Sequence, residues 1–399
     1  MKFIAPALLL LLASAPGLWA GEPITIGETI KIQSKVLGEE RTILVSTPAN
    51  YGRSTERYPV LYLTDGDTHL LHTRGTVDFL VRNGLMPNVI IVGVTNTDRV
   101  RDLTPTHSGI VRRDGTKGEL PTSGGAGKFL EFFEGNLFPY IESNYRTTPF
   151  RVFAGHSWGG TFALHALVSK PGLFNATIAA SPDLTWDGDF PLRTTAEFFK
   201  DRKEFRHTLY LSMGNEEAAD PKPTRFERLC ATLEGTKPEG FLWGAKAMPE
   251  EDHGSVVLRT HYWGLRKVFE GWRVPVDPVS GQFKGTLRDL QDHYSRLSQR
   301  LGSPVAPPEA ALNQVGYQVL GQNRKEDAIA IFRHVLELYP ESANAHDSLG
   351  EALENAEQPA EALAVYRKAV DLGQKTRDPQ LKIYVRNRDR VATAIKGAK

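Results

Sequence analysis

The stretch Gly155-His156-Ser157-Trp158-Gly159-Gly160 constrains this chain more than any other. A β-leaning run, Phe150 to Phe153, leads into it, and an apolar, alanine-containing helical run, Thr161 to Ser169, follows. Strand, Gly-x-Ser-x-Gly, helix is the setting in which the motif forms a nucleophile elbow. Such a turn is sharp enough to strain the serine backbone and to present its hydroxyl beyond the sheet. Gly155 and Gly159 suit it because, without Cβ atoms, strand and helix can close on the turn.

The flanking sequence reads in the same sense. Thr25 to Lys35 and Glu40 to Pro48 form an antiparallel hairpin, the second segment partly alternating apolar and polar residues. Tyr58 to Leu63 and Asn88 to Val94 are nearly continuous apolar strands, as expected of strands covered on both faces. Thr64-Asp65-Gly66-Asp67 is a turn, and a helix runs from about Leu70 to Asn83. Thr95 to Gly124 has no periodicity and reads as a long functional loop, followed by an amphipathic helix from Gly127 to Tyr145.

After the elbow come a strand at Asn175 to Ala180, a loop at Asp183 to Asp187 and a helical stretch around Thr195 to Asp201. A strand at His207 to Ser212 ends in Met213-Gly214-Asn215-Glu216-Glu217. A helix at Arg225 to Glu234, a short strand at Gly244 to Met248 and a helix from Ser255 to Phe269 complete the pattern. Polar clusters recur at the strands' C-terminal ends, which predicts an α/β sheet with a site along that edge.

At 399 residues the chain is long for one domain. Its 48 basic and 47 acidic residues leave no net field to favour nucleic acid or an anionic membrane. The single cysteine, Cys230, excludes an intramolecular disulfide and a cysteine metal cluster. No metal-ligand spacing or phosphate-cradling loop is evident, so no cofactor is expected. Residues 1–20 read as a cleaved signal sequence: Lys2, then the apolar Leu8 to Leu12, then Leu18-Trp19-Ala20 before Gly21. Pro6 and Pro16 interrupt the run, which argues against a stable membrane span.

An α/β domain is expected over 21–277, a helix with a proline-rich linker over 278–308, and helical repeats over 309–399. The repeat has the tetratricopeptide period of about 34 residues. Gly316 pairs with Gly350, Ala328 with Ala362, Phe332 with Tyr366 and Leu338 with Leu372. Two repeats are fewer than the usual minimum of about three. Capping by Leu287 to Leu301, by Leu381 to Ile395 or by the α/β domain is therefore expected.

A neutral hydroxyl is a weak nucleophile, so Ser157 needs a base. Chains with this elbow carry their groups in the order serine, acid, histidine, and His253, in the polar turn Pro249 to Gly254, is placed last. His156 is expected to pack or to line the pocket. The acid that holds the imidazole tautomer is one of Glu216, Glu217, Asp220 or Asp252, with Glu217 leading. Two backbone N–H groups should stabilise an oxyanion: that of Trp158, after the nucleophile, and that of Asp67, after the first parallel strand.

The residues Tyr62-Leu63-Thr64-Asp65-Gly66-Asp67, Gly155 to Gly160, Ala180-Ser181-Pro182 and Asp252-His253-Gly254 resemble the esterase family that includes enterochelin esterases, feruloyl esterases and mycolyltransferases. The resemblance covers about residues 27 to 272. It implies an α/β-hydrolase sheet with helices on both faces, followed here by a small all-α domain. It supports Asp67 as an oxyanion donor, and Glu217, counted from Gly214, as the acid.

Arg99 to Pro105 resembles the enterochelin-esterase-like branch, in which Arg99 or Arg101 would hold an anionic or catecholate substrate, with a loop brace as the alternative. Trp186 is either a pocket wall or a packed loop anchor. The implied function is that of an exported, periplasmic or secreted serine ester hydrolase acting on a small-molecule ester, a siderophore ester among the options. An acyltransferase, and a scaffold binding a protein through its repeats, are the alternatives.

Overall fold

The computed structural model describes residues 24–111, 116–217, 221–236 and 238–397. The expected signal sequence and Asp220 lie outside the described residues. The sheet opens with the hairpin β1 (Glu28–Ser34) and β2 (Glu39–Ser46), and β2 runs antiparallel to β4 (Ile90–Val94). From β4 onward the partners are parallel: β3 (Tyr58–Leu63), β7 (Thr147–His156), β8 (Ala176–Ala180), β9 (Glu204–Met213) and β10 (Glu239–Ala247). The spatial order β1-β2-β4-β3-β7-β8-β9-β10 is that of an α/β-hydrolase sheet. β5 (Ile110–Val111) and β6 (Lys117–Gly118) form a separate small hairpin.

Alternation along the strands decides which helix each residue meets. Leu61 and Leu63 face one core with Leu70, Val77 and Leu80 of α1 (Gly66–Arg82), shared with Leu265 and Val268 of α8 (Val256–Val268). Val60 and Tyr62 face the other. There they meet an aromatic block from α3 (Ala126–Phe132), a π-helical turn (Phe133–Leu137) and α4 (Phe138–Asn144). α5 (Trp158–Ser169), α6 (Trp186–Phe199) and α7 (Arg225–Gly235) complete that face. Helices cover both faces, which is why the inner strands are apolar without interruption.

Several boundaries differ from the sequence reading. The helix expected from Leu70 starts at Gly66, because Asp65 reverses the chain in one left-handed residue, φ 52°. A Cβ on Gly66 would stand 2.5 Å from the Gly93 backbone, so glycine is needed where α1 crosses β4. The element holding the helix expected near Thr195 opens at Trp186, but three left-handed residues, Asp187, Gly188 and Asp189, break it, and the regular helix follows them to Phe199. The long loop holds α2 (Arg99–Leu103), capped by the Asp98 carboxylate on the Arg101 N–H, besides the β5–β6 hairpin.

The C-terminal part is helical: α9 (Leu287–Leu301), α10 (Glu309–Gly321), α11 (Lys325–Leu338), α12 (Ala343–Asn355), α13 (Pro359–Thr376) and α14 (Leu381–Gly397). Two of the paired positions make the same kind of contact. A Cβ on Gly316 would stand 2.6 Å from the Phe332 ring, and one on Gly350 would stand 2.5 Å from the Tyr366 ring. Helix α9 covers the end next to the sheet. Its Tyr294 meets Trp272 edge-on at 6.5 Å, and its Arg300 donates to the Val268 carbonyl at 2.9 Å. One apolar core therefore runs from Leu61 through Trp272, Leu290 and Leu312 to Tyr366.

Candidate active site

Adjacent parallel strands end in register, Leu63 beside Ala154, His156 beside Ala180 and Ala180 beside Ser212, so their following turns share one edge. At the elbow Ser157 has φ 59° and ψ −121°. A side-chain-bearing residue held there stores strain on the order of 1–3 kcal/mol. The Ser157 N–H donates to the Ala180 carbonyl at 3.0 Å, and the Ser157 carbonyl accepts from Thr161 N–H at 3.0 Å. A Cβ on Gly155 would overlap the Gly159 carbonyl, and one on Gly159 would overlap the Thr64 hydroxyl.

Trp158 is the first residue of α5 and Asp67 the second of α1. The N–H groups of a helix's first turn have no partner within the helix and lie at the positive end of its dipole. β3 and β7 are neighbours, so both helix N-termini open at the same edge. The turn before α1 is tied down by Asp65, whose carboxylate accepts from Asn96 Nδ2 at 2.6 Å and from Arg99 Nε and Nη2 at 2.6 and 3.2 Å. Burial pushes the Asp65 carboxyl up, but the Arg99 bonds and charge outweigh it and hold the group below its ordinary value.

The third turn carries His253. Its Nδ1–H donates to Glu216 Oε1 at 3.0 Å, and a single Nδ1–H serves one carboxylate. The place expected for Glu217 is thus held by Glu216; the Glu217 side chain lies outside the described residues. The choice depends on the short 3₁₀ turn Asn215–Glu217, whose orientation spacing does not reveal. Asp252 is also set aside, because its Oδ1 caps the Gly254 and Ser255 N–H groups at 2.9 and 2.7 Å. Burial pushes the Glu216 carboxyl up, but the hydrogen bonds it accepts, led by that from His253, leave it below its ordinary value. With Nδ1 engaged, Nε2 of His253 is the nitrogen free to exchange a proton.

His156 does more than pack. Its Nε2 lies 2.7 Å from the His253 carbonyl, with the two rings 4.6 Å apart. Burial, then the charge of His253, push its imidazole down to about 4.

Of the expected substrate-binding residues, the structure brings Arg99 to the serine but not Arg101. Arg99 spans Asp65 and the His156 carbonyl, 3.1 Å away, and lies 5.5 Å from the Trp158 ring centre. It takes the brace role. The Arg101 guanidinium is engaged by both Glu39 oxygens, at 3.0 and 2.6 Å, and by Asp102 at 2.7 Å. That network, with buried Arg41, ties the first hairpin to α2. Trp186 is buried, donating to the Thr106 hydroxyl at 3.0 Å and meeting Trp158 edge-on at 6.0 Å, so it is an anchor behind the site. Asn96 and Asp183 were not anticipated. Asp183 accepts from Trp158 Nε1 at 3.1 Å, and only its position after Ala180-Ser181-Pro182 could have marked it.

Among the described residues no group of three or more His, Cys, Asp or Glu side chains is placed to hold a metal ion, and no helix is long and apolar enough to cross a membrane. The arrangement is suited to moving a proton between a hydroxyl and an imidazole backed by a carboxylate, beside the N-termini of α1 and α5.

Comparison with known proteins shows what the chain is similar to. The ferri-bacillibactin esterase BesA of Bacillus subtilis is 36% identical over 159 residues, 35% of this chain and 53% of BesA, so the match spans about half that relative's length. A siderophore enterobactin esterase of Emericella nidulans is 30% identical over 230 residues, 50% of this chain and 74% of that protein. The crystal structure of an IroE-like serine hydrolase from Shewanella oneidensis superposes with a TM-score of 0.68 at 32% identity, covering 77% of this chain and 99% of that one. Residues 34–263, more than half of the chain, match the family described as Putative esterase, and the chain belongs to that family.

Proposed function

We propose that this chain is a serine ester hydrolase that works through an acyl-enzyme. The observation that carries the reading is the Glu216–His253 pair, held at 3.0 Å beside the strained Ser157 elbow. His253 Nε2 takes the Ser157 hydroxyl proton as Oγ attacks the ester carbonyl. The N–H groups of Asp67 and Trp158 stabilise the tetrahedral oxyanion. The ester C–O bond then breaks, and the alcohol leaves with the proton from His253. Water, deprotonated in turn by His253, releases the acid and restores Ser157.

Siderophore esters are the proposed substrate class. Support comes from the relatives named for bacillibactin and enterobactin esterase activity, one of them matched over only half its length. The leader-like residues 1–20 support export to the periplasm or beyond. The repeated glycine-on-aromatic contacts support a tetratricopeptide-like reading of the C-terminal helices and, with it, a protein partner.

The test is labelling with a fluorophosphonate probe alongside hydrolysis of a chromogenic ester and of catecholate siderophores. Ser157 is expected to carry the adduct, and Ser157→Ala to lose both labelling and turnover with its fold intact. Undiminished hydrolysis by that variant ends the reading. Mass spectrometry of the exported protein should find Gly21 at its N-terminus; an intact leader refutes the export proposal.

A further inference from the structure

The proposed base sits on an open turn. The His253 side chain is 49% exposed, and it lies in the turn between β10 and α8. Glu216 orients the ring from one side, but a single hydrogen bond at Nδ1 does not fix where the ring's far nitrogen points. That depends on the backbone beneath it. On the C-terminal side the Asp252 carboxylate holds the Gly254 and Ser255 N–H groups, and on the N-terminal side Asn215 N–H donates to the Glu251 carbonyl at 2.9 Å. Among the described residues the carbonyl of His253 itself is held by one side chain, His156.

His156 is the residue before the nucleophile. Its backbone is fixed twice, by the β7–β8 ladder opposite Ala180 and by Arg99 Nη2 on its carbonyl at 3.1 Å. A carbonyl oxygen only accepts, so His156 Nε2 must carry the proton, and a neutral ring then leaves Nδ1 bare. The His69 ring stands edge-on at 5.6 Å on the inner side, helping to keep the imidazole out of water.

Resting on the hydrolase reading above, we propose that His156 is a positioning residue for the base. Its Nε2–H ties the His253 backbone to the nucleophile's own peptide and so sets the reach from His253 Nε2 to Ser157 Oγ. The spacing between nucleophile and base is then carried by one side chain, not by the general stiffness of two loops. Loss of the tether misplaces the base while leaving the substrate surface intact, so it should appear in kcat and not in KM.

The test uses the full chain, with ester turnover by the wild type and its loss in Ser157→Ala established first, so that failure of the hydrolase reading is seen separately. His156→Gln, whose amide nitrogen can stand where Nε2 stands, is compared with His156→Asn, which is too short, and with His156→Phe, which keeps the ring and loses the donor. Gln should retain kcat within about threefold, and Asn and Phe should lose about 10- to 100-fold, with KM within about twofold in all three. Wild-type kcat in folded His156→Phe overturns the proposal. If the Phe variant does not fold, the Gln and Asn pair decides, and equal kcat in those two overturns it.

Discussion

Nδ1 of His253 and Oε1 of Glu216 lie 3.0 Å apart, joining two turns that are 37 residues apart in the chain. In the proposed mechanism this pair fixes the imidazole tautomer and stabilises the imidazolium formed when Ser157 gives up its proton. Glu216→Gln keeps the shape but offers an amide in place of the carboxylate. Turnover of a chromogenic ester should fall by about 100-fold or more in kcat, with little change in KM. Glu217→Gln should stay within about twofold. The opposite ranking in steady-state kinetics would reassign the acid.

The elbow's glycines give a stability prediction with an internal control. A methyl at Gly155 meets the Gly159 backbone, whereas one at Gly159 meets the Thr64 hydroxyl, which has no hydrogen-bond partner among the described residues and is able to rotate away. Gly155→Ala should therefore cost about 3 kcal/mol or more and Gly159→Ala about 1 kcal/mol, read from urea unfolding. Equal costs would mean that the strand and helix do not close on the turn as described.

What could be read in the sequence was local. Apolar runs, the elbow motif and the pairing of Gly316 with Gly350 all concern patterns along the chain, and they located the strands, the Ser157 turn, the His253 turn and the glycines that face Phe332 and Tyr366. What spacing leaves open is direction. Arg99 and Arg101 stand two residues apart on α2, so they project about 200° apart; one braces Asp65 and the other meets Glu39. Glu216 and Glu217 differ only in how a 3₁₀ turn lies. The shortage of repeats calls for a cap, but the partners that make it, Trp272 and Tyr294, are non-local contacts that spacing does not name.

Buried His207 makes stability depend on pH. It stacks on Phe205, with ring centres 5.2 Å apart, and shares a hydrogen bond with Thr177 at 2.9 Å; burial pushes its imidazole down to about 3. An unfolded chain takes up that proton near pH 6.5. The contribution of the neutral group is complete above about pH 6.5 and is lost as the pH falls from there towards 3. Within that window His207 adds a slope of about 1.4 kcal/mol per pH unit. His207→Gln, unfolded in urea at pH 5, 6, 7 and 8, should show a shallower decline below pH 6.5 by about that amount. An unchanged slope would mean that His207 protonates in the folded protein.

Arg99 separates bracing from substrate binding. Its planar fork reaches both Asp65 oxygens and the His156 carbonyl at once, a span that the point charge of lysine does not reproduce. If that fork holds the turn before α1 against the elbow, Arg99→Lys loosens the proposed oxyanion site at the Asp67 and Trp158 N–H groups, whatever charge the substrate has. The variant should lose about tenfold in kcat on a neutral ester and on an anionic one alike, with similar KM values for both. A rise in KM confined to the anionic ester would instead put the guanidinium on the substrate. Measuring kcat and KM for the two esters side by side decides between a residue that shapes the site and one that reads its ligand.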